Sequence, residues 1–165
     1  MPACFFYTFT MSESNIILIE KACEEIFKEN GLNSINTDST SVSFDKTNIT
    51  ATIGLAGEVQ GHLILYSGLD TAVNLVRELF SNMGMEQEIA AGDQLFKETF
   101  AELLNQLGGR TTIKLSENGI DSDITPPILI KGDNIFINTN TYNSTAIIKI
   151  SGEFGDIGLF VGLTN

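Results

Sequence analysis

The sequence predicts an α+β layered domain in which one antiparallel sheet carries long helices packed across it, built from two similar halves. Three observations point there. Apolar residues recur at helical spacing over residues 13–30 and again from 93 to 118. Apolar, β-branched runs come in pairs joined by short glycine-containing turns. Finally, Thr50-Ala51-Thr52-Ile53-Gly54-Leu55-Ala56-Gly57-Glu58 matches Thr145-Ala146-Ile147-Ile148-Lys149-Ile150-Ser151-Gly152-Glu153 at an offset of 95, with five of nine positions identical. A duplication would produce this match, and so would two hairpins converging on shared turn chemistry. The length of 165 residues fits a single domain.

Taken in order, residues 1–10 read as an extension ahead of one domain over 11–165. Met11-Ser12-Glu13-Ser14 offers hydroxyls suited to capping a helix over 13–30, which Asn30-Gly31 is suited to end. Cys23 shares a stripe with Ile16, Ile19, Ile26 and Phe27, so a buried reduced thiol is expected rather than a disulfide or a metal ligand. Ser39–Phe44 alternates as a short strand would. Thr50–Leu55 and Gly61–Tyr66, separated by Ala56-Gly57-Glu58, predict a β-hairpin. Asp70 is the expected cap of a second helix with the face Val73, Val76, Leu79 and Phe80, stopping near Met83-Gly84. Asp93 is the expected cap of a third, running through Phe96, Phe100, Leu103 and Leu107. The periodicity of Ile113 and Leu115 carries this helix past Gly108-Gly109 to Asn118-Gly119. Strands return over 121–130, interrupted by Pro126-Pro127, and at 134–138, 145–151 and 157–162.

Nine Lys plus Arg against 21 Asp plus Glu leave a net charge of −12. This argues against nonspecific attraction to nucleic acid or anionic membranes and favours a basic protein partner. With 42% hydrophobic residues the chain should fold. The apolar stretch Ala3 to Phe9 lacks both a basic flank and a small-residue cleavage site, and no run reaches the ~18 apolar residues of a membrane span. A cytoplasmic location is therefore expected, and the sequons at Asn48 and Asn143 carry no weight.

Several chemistries drop out. His62 is the one histidine and sits within a strand pattern, where a surface or interface role outweighs a catalytic one. Gly108-Gly109-Arg110-Thr111 resembles the tail of a P-loop, but Leu104 stands where the first glycine belongs and the segment lies in or at the end of a helix. The spacing of Gly54, Gly57 and Gly61 belongs to a hairpin, not to a dinucleotide fingerprint.

The third helix is more informative. Glu98, Glu102 and Asn105 recur at i, i+4 and i+7 and form one polar stripe, which Gly109 extends by a further step. Two acids at i, i+4 repel by ~0.2–0.5 kcal/mol, and each helical glycine costs ~1 kcal/mol relative to alanine. Stability alone would not select this stripe, although an ordinary solvated face with a helix end at Gly108 has the same pattern.

Glu102-Leu103-Leu104-Asn105-Gln106-Leu107-Gly108-Gly109, followed some twenty residues on by Ile124-Thr125-Pro126-Pro127-Ile128-Leu129-Ile130-Lys131-Gly132, resembles the CheX branch of the CheC/CheX/FliY chemotaxis phosphatase family. The resemblance runs from about residue 11 to the end of the chain and includes the element order and the internal duplication. Residues 13–30 hold no Glu-x-x-Asn, which is similar to single-site CheX rather than two-site CheC. The resemblance implies a CheC-like fold and dephosphorylation of the phospho-aspartate of a CheY-like response regulator, which supplies its own Mg²⁺, so no cofactor of the chain's own is expected. It further implies that Glu102 pairs with the regulator's active-site lysine and that Asn105 orients the attacking water. Glu98, Gly108 and Gly109 would then contact the partner, the glycines by allowing close backbone approach. Family members usually carry Asp or Ser where Glu98 stands here, and the proline spacing is a residue or two short.

The resemblance also implies a homodimer formed through the sheet, and the apolar late strands 145–162 would make a hazardous open edge. Two other functions compete: a noncatalytic module of the same fold that binds a receiver domain or another signalling protein, and a structural or flagellar-switch component.

Overall fold

A computed structural model describes residues 11–32, 36–38 and 46–165; the extension 1–10 and the strand expected at Ser39–Phe44 lie outside the described residues. Three helices, α1 (Met11–Glu29), α2 (Leu69–Asn82) and α3 (Gln94–Glu117), accompany seven strands. The strands are β1 (Asn36–Asp38), β2 (Ile49–Gly57), β3 (Gly61–Ser67), β4 (Ser122–Ile124), β5 (Ile128–Lys131), β6 (Ser144–Gly152) and β7 (Gly155–Leu163). They form one antiparallel sheet in the order β1-β6-β7-β3-β2-β4, with β5 also beside β2. Of the late strands β7 is central, while β6 is flanked by β7 on one side and on the other, among the described residues, by β1 over Lys149–Ser151 alone, which leaves Ser144–Ile148 as an edge.

The repeat maps onto the two hairpins, β2–β3 and β6–β7, which meet where β3 pairs with β7. Ile53 and Leu55 correspond to Ile148 and Ile150, all buried on the helix side. The pair Leu55↔Gly61 corresponds to Ile150↔Ile157, so the offset of 95 on the first strand becomes 96 on the second. One residue is taken up in the turn, and side-chain alternation survives; slipping the strand instead would have put every side chain on the wrong face.

Alternation along the strands sends Leu63, Leu65, Leu159 and Val161 to the face covered by the helices, where they meet Ile19, Phe27, Leu75, Phe100 and Leu107. The opposite face carries a smaller cluster of Ile64, Tyr66 and Phe160, covered by Ile137 and Tyr142 from the segment between β5 and β6. That segment includes the strand expected at 134–138. It forms no ladder with the described strands: Asn134 takes a positive φ of 54°, and the chain then meets the residues ahead of β2 through Ile135 N–H, which donates to Thr47 O.

Helix ends differ from expectation in detail. Ser12 and Ser14 lie inside the first turns of α1. Gly68, not Asp70, is the cap position of α2, with no side-chain hydrogen bond, and Asp70 sits in the first turn, where its charge suits the positive end of the helix dipole. Asp93 does hold the cap position of α3, but its Oδ2 accepts from Ala90 N–H (2.8 Å) and closes the preceding turn instead. Cys23 is wholly buried, and burial pushes its thiol pKa up, as expected of an inert core thiol.

Charge links α1 to α3. Arg110 donates to both carboxylate oxygens of Glu29 and to Glu25, each at 2.8 Å, and Lys114 Nζ donates to Glu25 at 2.5 Å. The bonds from Lys114 and then Arg110 hold the Glu25 carboxyl below the usual carboxylate range. A carboxyl depressed in the fold stabilises above its unfolded pKa, and that stabilisation is lost as pH falls through the lowered value. Glu25→Gln should therefore melt below wild type at pH 7, by a gap that narrows in acid and in high salt. Melting curves at pH 7 and pH 3 that show the same gap would remove these ion pairs from the account.

Candidate active site

At about 100° per residue, Glu98, Glu102, Asn105 and Gly109 of α3 fall within an arc of about 60°. Phe96, Phe100, Leu103, Leu104 and Leu107 occupy the buried side. Glu98 and Glu102 are exposed, while Asn105 and Gly109 are half-buried. Asn105 Nδ2 donates to Glu102 Oε2 at 3.3 Å, one turn away, and leaves the amide oxygen as a free acceptor beside the carboxylate. Gln94 Nε2 donates to Glu98 Oε1 at 2.9 Å. Among the described residues neither glutamate has an ion-pair partner, and two of the three cations of α3, Arg110 and Lys114, turn toward α1. The outward stripe is thus a negative surface on a rigid helix with one amide in it.

The two glycines serve different surfaces. A Cβ at Gly109 would meet nothing within 4 Å. At Gly108 it would stand 2.2 Å from Ile53 Cδ1 and 3.2 Å from Ile124 Cδ1. Gly108 therefore faces the sheet, not a partner, and the expected docking role is left to Gly109. Ile124 ends β4, and the next residue, Thr125, clasps β2 twice: its N–H donates to Gly54 O (3.0 Å), and its Oγ1 accepts from Gly54 N–H (2.8 Å). Pro126-Pro127 then interrupts this outer row, where missing donors are tolerated, before β5 resumes pairing with β2. Ile124 and Thr125 open the proline segment quoted from the sequence, but nothing there pointed to a role in seating α3; their one signal was their place just ahead of the prolines.

A matching position exists on α1. Gly31 and Gly119 end their helices with φ of 80° and 76°, and Leu32 N–H to Phe27 O mirrors Ile120 N–H to Leu115 O, each at 3.0 Å. On this equivalence, Ser14 and Ile17 stand where Glu102 and Asn105 stand on α3. Ile17 is exposed and has nothing to offer water or a lysine.

Among the described residues no group of three His, Cys, Asp or Glu side chains could hold a metal ion, and no helix is long and apolar enough to cross a membrane. The sequence profile of chemotaxis phosphatase CheX matches residues 49–151. The chain belongs to the CheX family. The matched segment contains α3, β4 and the proline pair, and leaves α1 outside.

Over 89 residues the chain is 30% identical to the CheY-P phosphatase CheX of Thermotoga maritima, a match covering 54% of this chain and 55% of that relative. The chain thus spans about half the length of the curated relative it matches. The solved chemotaxis protein CheX of Vibrio vulnificus superposes with a TM-score of 0.75 at 16% identity, over 91% of this chain and 99% of that one. A chain of the CheX-CheY-BeF3-Mg²⁺ complex from Borrelia burgdorferi gives 0.73 at 24% identity, over 92% and 98%. At these identities the structural likeness bears on the fold, which is the CheC-like layering of helices on an antiparallel sheet.

Opposite effects are expected at the adjacent glycines. Gly109→Ala should raise stability by roughly 0.5–1 kcal/mol, since a helical alanine replaces a glycine in open space. Gly108→Ala should lower it by about 1–2 kcal/mol, because overpacking against wholly buried Ile53 exceeds the same propensity gain. Urea denaturation of the two variants checks both signs, and a stabilised Gly108→Ala would show that α3 does not sit on Ile53 and Ile124 as described.

Proposed function

We propose that this chain hydrolyses the phospho-aspartate of a CheY-like receiver domain. The observation that carries the reading is the Glu102–Asn105 pair, held together at 3.3 Å on the outward face of α3 with open space at Gly109. Membership of the CheX family supports it. Water attacks phosphorus, the bond from phosphorus to the aspartyl oxygen breaks, and inorganic phosphate and a free carboxylate result. Asn105 cannot act as a strong base, but its carboxamide accepts from and donates to water, which is enough to hold the nucleophile in line. The Mg²⁺ is the receiver's own, where it neutralises charge on the phosphoryl oxygens. Glu102 pairs with the receiver's lysine and fixes the carboxamide through the hydrogen bond the two already share. Glu98 adds negative charge one turn earlier. Gly109 lets the partner's backbone approach.

We further propose that the protein forms a homodimer through the sheet. Ile128 and Ile130 of β5 point away from the helices and are exposed, and Phe136 beyond them is 84% exposed. Among the described strands, β4 and β5 pair only with β2, so their other side is open. Sedimentation should therefore report a dimer at micromolar concentration that Ile130→Lys converts to monomer. A wild-type monomer throughout that range would sink the dimer.

Roles within the stripe separate by mutation. Asn105→Ala should keep binding to the phosphorylated receiver and lower the dephosphorylation rate by about 10² or more, the scale of a lost positioning contact. Glu102→Lys should abolish association, since like charges at an interface cost several kcal/mol. Neither change on this outward stripe should alter stability by more than about 0.5 kcal/mol. Receiver dephosphorylation and binding titrations check both. A binding-only module would leave wild type and Asn105→Ala equally inactive, and an Asn105→Ala protein at the wild-type rate would overturn the mechanism.

A further inference from the structure

Alongside the acidic stripe runs a groove of about 310 Å³ between the end of α2 and the first half of α3. Leu79, Met83, Leu95 and Leu103 give it an apolar floor and flank, and Glu98 and Glu102 form the rim it shares with the stripe. Met83, which caps the end of α2, is 61% exposed and Leu95 of α3 38%, although both adjoin helical turns that bury other apolar residues well. We propose that this groove is a second docking point for the receiver domain, taking an apolar side chain that lies beside a cation on the partner's surface. The proposal rests on the phosphatase reading above.

Two arguments fix that occupant. The first is reach. Leu95 lies ten residues from Asn105, about 15 Å along the helix. A standard interface covers ~800 Å² per partner, a disc of roughly 16 Å radius. A globular domain seated on Glu102 and Asn105 therefore covers the groove as well. The second is charge. Whatever covers the groove takes water from Glu98 and Glu102, neither of which has a cation of its own. Desolvating unpaired carboxylates is costly, so an apolar occupant must bring a lysine or arginine with it. Methionine suits the role because its unbranched thioether adapts to a partner's shape.

The test uses the full chain and a CheY-type receiver domain, loaded with beryllofluoride and Mg²⁺ for binding and phosphorylated by acetyl phosphate for turnover. Met83→Ser combined with Leu95→Ser should weaken binding and raise KM at least tenfold while kcat stays within twofold of wild type. Asn105→Ala gives the reverse split. Met83→Lys, a single change at the more exposed position, should also weaken binding by opposing the partner's cation, so the proposal stays testable if the double variant misfolds. Unchanged binding and KM in the serine and lysine variants overturn the groove and leave the phosphatase reading standing. A double variant that binds the receiver normally but sediments differently from wild type assigns the groove to a second copy of the chain and overturns the proposal. A wild type that binds without hydrolysis overturns the phosphatase reading, and the binding arm still decides the groove. A wild type that does neither overturns both.

Discussion

Helix α3 touches the sheet at a residue with no side chain, and much of the molecule's geometry follows from that contact. With only hydrogen at Gly108, the helix comes down onto Ile53 of β2 and Ile124 of β4. Leu104 and Leu107 enter the core beside it. Once that face is fixed, the stripe from Glu98 to Gly109 has to point outward. The height of the candidate site above the sheet is thus set from beneath, by the missing Cβ. It is set also by how firmly β4 is held to β2, which is where Thr125 and its two bonds to Gly54 matter. The glycine and the proline segment are separate in the chain yet form one seat for the helix.

A rigid seat suits the chemistry. Asn105 and Glu102 offer no strong base, no nucleophile and no metal cluster. In the proposed mechanism their contribution is position and charge, and both depend on a backbone that does not move. Positioning on a regular helix loses less to motion than the same groups would on a loop. The negative charge is left available in part by pairing elsewhere: Arg110 and Lys114, two of the three cations of the same helix, are engaged by Glu25 and Glu29.

The main elements were legible because their signals are local. The stripe Ile19, Cys23, Ile26 and Phe27, the paired hairpins and the long third helix all express burial on one face, which spacing reports directly. The repeat even placed the two hairpins whose junction is the sheet's centre. What failed depended on three-dimensional neighbours. Asp70 has the right chemistry for a cap but sits two residues late. Residues 134–138 have strand composition but form no ladder with the described strands, and Ile135 N–H bonds to the chain ahead of β2. Ile113 fits the periodicity yet stands exposed beside Arg110. Gly108 and Gly109 are identical in sequence terms, and only the sheet beneath distinguishes them. At the site, the spacing of Glu98, Glu102 and Asn105 was visible, but the groove bordering Glu98 was not, since Met83 caps α2 and Leu95 opens α3.

The equivalence of α1 and α3 also describes a division of labour between the two halves. Each half supplies a helix, a short outer strand and a hairpin, and the helices end in the same turn. Yet the first helix, with Ser14 and Ile17 in the corresponding places, directs its acids at α3, where they hold the cations of the other copy. Symmetry of backbone is thus combined with asymmetry of surface. One half carries the outward acidic stripe and the other braces it, so two halves of similar frame present different surfaces.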